Sequence, residues 1–166
     1  ASLGLFVVLS KFNLLEEDVF NFCKFNSSLG GHPCDKLKFV ESSTGSLGHG
    51  LPIAVGMALS NKIQNFSSSV YTLIGDGESN EGTVWESALL ASHHKLNNLF
   101  CIMDHNHSGD RALNIDSIID KFNSFGWNCL EVDGHDHTEL IKSLSGKYDK
   151  PTFILANTTK GKGMAP

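Results

Sequence analysis

Long apolar runs are missing: no stretch approaches the ~20 residues that a membrane span requires, so no spanning helix is expected. Basic charge is also in deficit. Thirteen Lys and Arg stand against eighteen Asp and Glu, a formal charge of −5, and no basic stripe carries interleaved aromatics. That excludes nucleic acid as a main partner. The four cysteines (Cys23, Cys34, Cys101, Cys129) include no C-x-x-C pair. Cys101 lies inside one apolar run and Cys129 near the start of another, so buried free thiols, a reducing compartment and a cytoplasmic location are expected. Linkers, low-complexity tracts and repeats are absent. Residues 1–9 are apolar but lack a basic flank and a cleavage-like site, so they read as a core helix rather than a signal peptide. Methionine is missing from the start, which leaves the true N-terminus open: the chain reads as a fragment, or as a domain without its N-terminal segment.

What is present suits one globular domain: 166 residues, 40% hydrophobic and 19% charged, enough apolar mass for a core. Strand-like runs occupy 70–74, 99–103, 128–132 and 152–156, at a recurring interval of about 24 to 29 residues, the pitch of successive strand–helix units. Helical patterns fall between them, at about 82–95, 115–125 and 138–144, with Ser117 and Thr138 as candidate helix starts. Another helix is expected from about Leu51 to Lys62, and short helices around Leu3–Leu9 and Glu16–Phe25. The fold class expected is α/β, with a mostly parallel sheet flanked by helices.

Two of the strand runs end in chemistry. Val70-Tyr71-Thr72-Leu73-Ile74 leads into Gly75-Asp76-Gly77-Glu78-Ser79-Asn80-Glu81-Gly82, and Leu99-Phe100-Cys101-Ile102-Met103 leads into Asp104-His105-Asn106, thirty positions beyond Asp76. One carboxylate and one amide oxygen thus fall at the carboxyl ends of two strands, the edge that borders the ligand crevice of an open parallel sheet. Hard oxygen ligands beside glycine-freed backbone suit a divalent cation holding a diphosphate. On spacing alone, a tight Gly-Asp-Gly turn and an ordinary loop asparagine fit equally well. A second cluster, Thr44-Gly45-Ser46-Leu47-Gly48-His49-Gly50, precedes a helix but is not G-x-G-x-x-G and follows no convincing strand, so a dinucleotide fold is poorly supported.

The residues Gly45-Ser46-Leu47-Gly48-His49-Gly50, with Ala54-Val55-Gly56-Met57-Ala58 after them, resemble transketolase. So does the segment from Gly75 through Trp85-Glu86. Ser92-His93-His94-Lys95-Leu96, Asp104-His105-Asn106, Phe125-Gly126-Trp127, Val132-Asp133-Gly134-His135-Asp136 and Lys160-Gly161-Lys162-Gly163 continue the resemblance in order, over essentially the whole chain.

The resemblance implies a thiamine diphosphate-binding fold of the diphosphate-binding type, spanning residues 1–166. Asp76 and the Asn106 side chain resemble ligands to Mg2+ (or Ca2+), with the backbone carbonyl of Ser108 as the expected third. Gly77 resembles the residue packed against the diphosphate, and Gly45 and Leu47 resemble backbone contacts to the cofactor. Glu81 matches an acid near the cofactor that links paired sites across a dimer interface, and His32 a histidine that reaches the sugar. The activity implied is transfer of a two-carbon ketol unit from a ketose to an aldose, with sugar phosphates as substrates. Departures accompany these matches. Ser108-Gly109 stands where the family carries a bulky aliphatic residue two positions after the asparagine. The pyrimidine-binding domain, with its cofactor-activating glutamate, is missing from the chain.

The chain is therefore expected to be the N-terminal subunit of a split transketolase, active only with a C-terminal subunit that carries the pyrimidine domain. A heterotetramer, or a homodimer without that partner, is the assembly expected, with the helix at about 82–95 in the interface. The rivals are a 1-deoxyxylulose-5-phosphate synthase, a 2-oxo acid dehydrogenase component, a zinc-binding domain built on His105 and His107, and a non-catalytic relic subunit. Asn80-Glu81-Gly82 followed by Val84-Trp85-Glu86 favours transketolase among the thiamine enzymes.

Overall fold

The computed structural model describes residues 2–163; Ala1 and the last three residues, 164–166, lie outside the described residues. The chain divides into two compact units, Ala1–Leu47 and Gly48–Pro166.

In the first unit, helix α1 (Ser2–Lys11) buries Phe6 and Leu9 and leaves Leu3, Leu5, Val7 and Val8 exposed. The expected helix around Glu16–Phe25 is instead a single 3-10 turn, Val19–Asn21, capped by the Asp18 carboxylate, which accepts from the Phe20 N–H at 2.9 Å. Positive φ at Cys23 and Asn26 breaks the chain out of helix before another turn can form. Glu17 holds the following loop: its carboxylate accepts from the Ser27 hydroxyl at 2.6 Å and from the Ser28 N–H and hydroxyl at 3.0 and 2.6 Å.

The second unit holds the sheet. Helix α2 (Gly50–Ile63) precedes strand β1 (Val70–Gly75), and a 3-10 turn (Asp76–Asn80) leads to α3 (Gly82–His93). Strand β2 (Leu99–His105), helix α4 (Ile118–Ser124), β3 (Asn128–Asp133), α5 (His137–Leu144) and β4 (Thr152–Asn157) follow. All four expected strands are present. Their order is β1-β2-β4-β3 and every pairing is parallel.

Chain direction across the sheet explains which helices share a face. The steps β1 to β2 and β2 to β3 run the same way, so right-handed crossovers place α3 and α4 together, while the reversed step β3 to β4 places α5 opposite. The core agrees. Leu99, Cys101, Met103, Phe153 and Leu155 pack with α2, α3 and α4 residues such as Leu51, Val84, Ala88 and Phe122. On the other face Phe100, Ile154, Ala156 and Val132 pack with Leu140, Leu144 and Tyr148. Phe122 stacks on Phe153 with ring centroids 3.9 Å apart, fixing α4 to the central strand.

Helix starts follow side-chain capping. Ser117 caps α4, accepting from the Asp120 N–H at 3.3 Å, as its position in the sequence suggests. At α5 the cap is Asp136 rather than Thr138: its Oδ1 accepts from the N–H groups of Thr138 and Glu139 at 2.7 and 3.2 Å. A carboxylate also suits the positive end of the helix better than a hydroxyl. Helix α4 starts at Ile118 rather than near 115, because positive φ at Asp116 is incompatible with a preceding helical turn.

Candidate functional site

All four strands are parallel, so their carboxyl ends share one edge of the sheet. That edge carries Gly75-Asp76, His105-Asn106, Asp133-Gly134 and Asn157-Thr158. Gly75 is in register with Asp104, which sets Asp76 and Asn106 at the ends of adjacent strands.

Asp76 is 7% exposed. Its Oδ1 accepts two backbone N–H groups, from Gly77 at 2.7 Å and Gly109 at 3.2 Å. Its Oδ2 is buried and has no hydrogen-bond partner. A buried carboxyl oxygen left without a hydrogen-bond partner away from water is costly, so this atom is suited to receive a ligand. The wall beside it is glycine: a Cβ on Gly109 would stand 2.8 Å from both Cα and N of Gly77. Backbone approach this close leaves room for a ligand where side chains would otherwise stand.

The turn carrying Asp76 is anchored from behind. The Ser79 hydroxyl donates to the Asp76 carbonyl at 2.5 Å, and the Trp85 indole N–H donates to the Ser79 carbonyl at 2.8 Å. Trp85 in turn lies against Phe122 and Phe125, with centroids 5.4 and 5.9 Å away. Glu78 accepts from Gly75 and Gly48, and its negative charge adds to burial in pushing the thiol of fully buried Cys101 upward.

Asn106 is half-buried. Its Nδ2 donates to Asp104 Oδ2 at 3.1 Å, while its Oδ1 accepts from the Ser108 N–H at 3.2 Å and from the Ser108 hydroxyl. Lys160 Nζ donates to the same Ser108 hydroxyl at 3.0 Å, and the Thr158 hydroxyl donates to Asp104. Asp76 lines a groove with His105, Gly109 and Asp110, and Asn106 lines a second groove with Asp104, Thr158 and Lys160. Gly109 and Ser108 are consecutive residues and bind one each.

Glu81 is exposed at the start of α3, its Cβ directly against buried Gly48: a Cβ on Gly48 would stand 2.6 Å from it. In the first unit, the His32 ring packs against Gly45, whose Cβ would lie 3.3 Å from its Cγ. Both residues are exposed, as is Leu47.

His105 and His107 have partners of their own. His105 Nδ1 meets Asn157 Oδ1 at 2.9 Å, and His107 Nδ1 meets Asp110 Oδ2 at 3.0 Å on the surface. Among the described residues no group of three or more His, Cys, Asp and Glu is placed to hold a metal ion, so the zinc reading of His105 and His107 is not supported. His135 accepts the Thr159 N–H on Nε2 at 2.8 Å, fixing the loop that carries Lys160. The cysteines are all free and divide by position: Cys101, inside its apolar run, is buried, Cys129 and Cys34 are half-buried, and Cys23 is exposed.

Sequence reading missed Glu78 and the Gly77–Gly109 contact. Glu78 acts on an N-cap that is itself glycine, so no capping residue precedes it to mark the pattern. Gly109 had a signal in the sequence, a glycine just past the Asn106 strand end, but its partner lies 32 residues away and only folding identifies it.

A parallel α/β sheet with a buried acid and paired glycines at its carboxyl edge has its candidate ligand groups where open α/β sheets bind ligands. The comparison with known families agrees: residues 2–166 match the transketolase thiamine diphosphate-binding domain. The chain belongs to the transketolase family. It is 35% identical over 171 residues to one subunit of the apulose-4-phosphate transketolase of Phocaeicola vulgatus, covering 98% of this chain and 61% of that protein. It is 41% identical over 157 residues to the transketolase of Homo sapiens, covering 91% of this chain and 25% of that one. Among solved structures, transketolase from Campylobacter jejuni superposes with a TM-score of 0.79 at 36% identity, covering 88% of this chain and 26% of its own. The chain thus spans less than two thirds of the Phocaeicola relative and about a quarter of the full-length transketolases.

Proposed function

We propose that the chain is the N-terminal, diphosphate-binding subunit of a split transketolase and works as one domain over residues 1–166. The observation that carries this reading is the buried, unpartnered Oδ2 of Asp76 beside the Gly77–Gly109 cradle. The Phocaeicola relative, itself named as one subunit of its transketolase, supports the division into two chains.

The residue types present suit thiamine diphosphate held through a divalent cation, which would have to draw Asp76 and Asn106, now lining separate grooves, onto one ion. Asp76 supplies a carboxylate oxygen; Asn106 supplies its amide oxygen once the Ser108 hydroxyl turns away; Ser108 supplies a backbone carbonyl. Magnesium completes its shell from phosphate oxygens and water, which three protein ligands leave room for. Gly77 lets the diphosphate approach the main chain, and Gly45 and Leu47 present backbone groups to the remainder of the cofactor. When bound, thiamine diphosphate supplies the nucleophilic carbon for two-carbon ketol transfer. The chain's own part is to bind, orient and exclude water; by the resemblance, His32 is the residue assigned to the sugar and Glu81 the one assigned to the paired site. A C-terminal subunit with the pyrimidine domain would cover the other end of the cofactor. Exposed Leu89 and Leu90 on α3 suit a place in that assembly or in a homodimer. The compartment proposed is the cytoplasm.

One observation favours a second reading. Ser108 satisfies the Asn106 oxygen with two donors, an arrangement in which a relic subunit would need no metal.

The test is calorimetric titration of the chain with Mg2+ and thiamine diphosphate, beside Asp76→Ala, followed by ketol-transfer assays with and without the partner subunit. Binding lost in Asp76→Ala, and turnover only in the reconstituted complex, is the expected result. Wild-type turnover in a complex carrying Asp76→Ala favours the relic subunit, and robust turnover by the pure chain alone overturns the split site.

A further inference from the structure

Glu78 has no part in the site as proposed, yet one carboxylate holds backbone from two separate segments. Oε1 accepts the N–H of Gly48 at 3.0 Å and Oε2 accepts the N–H of Gly75 at 3.3 Å. Gly48 lies just before α2, Gly75 ends β1, and Glu78 follows Asp76 by two residues.

Gly48 is held from the other side as well. Its carbonyl accepts from the Thr83 hydroxyl at 2.9 Å, so both polar groups of one peptide position are fixed by side chains. The residue is buried, at φ +83°, and a Cβ there would lie 2.6 Å from Glu81 Cβ and from Thr83 Oγ1. No other residue type fits. Below it the first turn of α2 comes down on β1, where a Cβ on Gly50 would stand 3.6 Å from Thr72 Oγ1 and 3.9 Å from Glu78 Oε1. Three glycines thus surround one acid.

We infer that Glu78 is a positioning residue: its two oxygens lock the entry of α2 to the Gly75–Asp76 turn and thereby fix where the Asp76 carboxylate stands. The geometry is independent of any ligand; the consequence for binding rests on the thiamine diphosphate reading above. A carboxylate suits the task for two reasons. It offers two acceptors and no donor, where glutamine offers one acceptor and sets an NH2 against the second N–H. It also places negative charge at the N-terminal end of a 14-residue helix.

The experiment compares the whole chain with Glu78→Gln, Thr83→Val and Asp76→Ala, using amide hydrogen exchange at Gly48 and Gly75 and calorimetric affinity for thiamine diphosphate with Mg2+, well below the melting temperature. Glu78→Gln is expected to raise exchange at one or both glycines by about tenfold or more and to weaken cofactor binding by about tenfold. Thr83→Val removes only the bond to the Gly48 carbonyl, so the Glu78 carboxylate should keep the N–H groups of Gly48 and Gly75 protected; lost protection there would overturn the clamp even if Glu78→Gln does not fold. Asp76→Ala should lose binding while Gly48 stays protected. Unchanged exchange in Glu78→Gln would overturn the clamp. Raised exchange with wild-type affinity would also overturn the positioning role, since a merely structural bond loosens the amide without moving the ligand site. Failure of the wild-type chain to bind thiamine diphosphate would instead sink the cofactor reading, and the exchange arms would then decide the clamp alone.

Discussion

Gly109 touches Gly77 backbone to backbone: a Cβ added to Gly109 would stand 2.8 Å from both Cα and N of Gly77 and 3.1 Å from the Asp76 carbonyl carbon. Neither residue has a side chain to withdraw, so any added atom must move the chain. The same Gly109 gives its N–H to Asp76 at 3.2 Å. One contact therefore spaces the two strand ends and orients the acid between them.

Gly109→Ala is expected to force the loop after β2 away from the Asp76 turn, lose the bond to Asp76 and cost about 1–3 kcal/mol. Urea denaturation checks the cost, and titration with thiamine diphosphate checks the site. A wild-type midpoint would show that the two backbones are not in contact.

Asp76→Asn should separate stability from binding. The amide keeps an oxygen for the N–H groups of Gly77 and Gly109 and replaces the buried second oxygen, which has no partner. Stability within about 1 kcal/mol of wild type is expected, or above it, with cation and diphosphate binding lost. Thermal melts with and without ligand read both quantities; ligand stabilisation retained in the variant would remove Asp76 from the site.

Trp85→Phe keeps the ring contacts with Phe122 and Phe125 in part but removes the donor to the Ser79 carbonyl. Ser79 is fully buried, so its carbonyl loses a donor without gaining water. A loss of about 1–3 kcal/mol is expected in chemical denaturation.

Thiol chemistry should follow burial. Brief alkylation of the native chain is expected to modify Cys23 first and Cys101 only on unfolding, with peptide mass mapping as the readout. Cys129 falls between: burial, aided by the charge of Asp120, pushes its thiol from 9.0 up to about 11. A raised thiol means that the unfolded chain ionises first. The stability this group contributes is therefore full below pH 9.0 and declines as the pH rises through about 11. Wild type should lose stability relative to Cys129→Ser over that window, and a pH-independent difference would contradict the assignment.

Much of this was legible before folding. Alternation and apolar runs located all four strands, because side-chain period and burial are local properties of the sequence. Asp76, Gly77 and Asn106 stood out as candidate ligands because a cation and a diphosphate call for oxygens and glycine at a strand end, although on spacing alone a tight turn and a loop asparagine fitted equally well. Helix boundaries were less legible. Asp136 and Thr138 are both credible caps in the sequence, and the choice depends on φ and ψ around them.

Distance in space was not legible at all. Nothing local announces that Gly109 meets Gly77, that Glu78 reaches Gly48, or that Ser108 turns its hydroxyl onto Asn106. The sequence by itself determined the class of domain, the strands and the identity of the acid and glycines. Only the tertiary structure decided which Asp76 oxygen is satisfied, that Asp76 and Asn106 face separate grooves, and which glycines tolerate no Cβ. The reason is physical: a residue's chemical type is carried by the residue itself, whereas a hydrogen bond or a steric limit exists only once parallel strands have brought distant segments within a few ångströms.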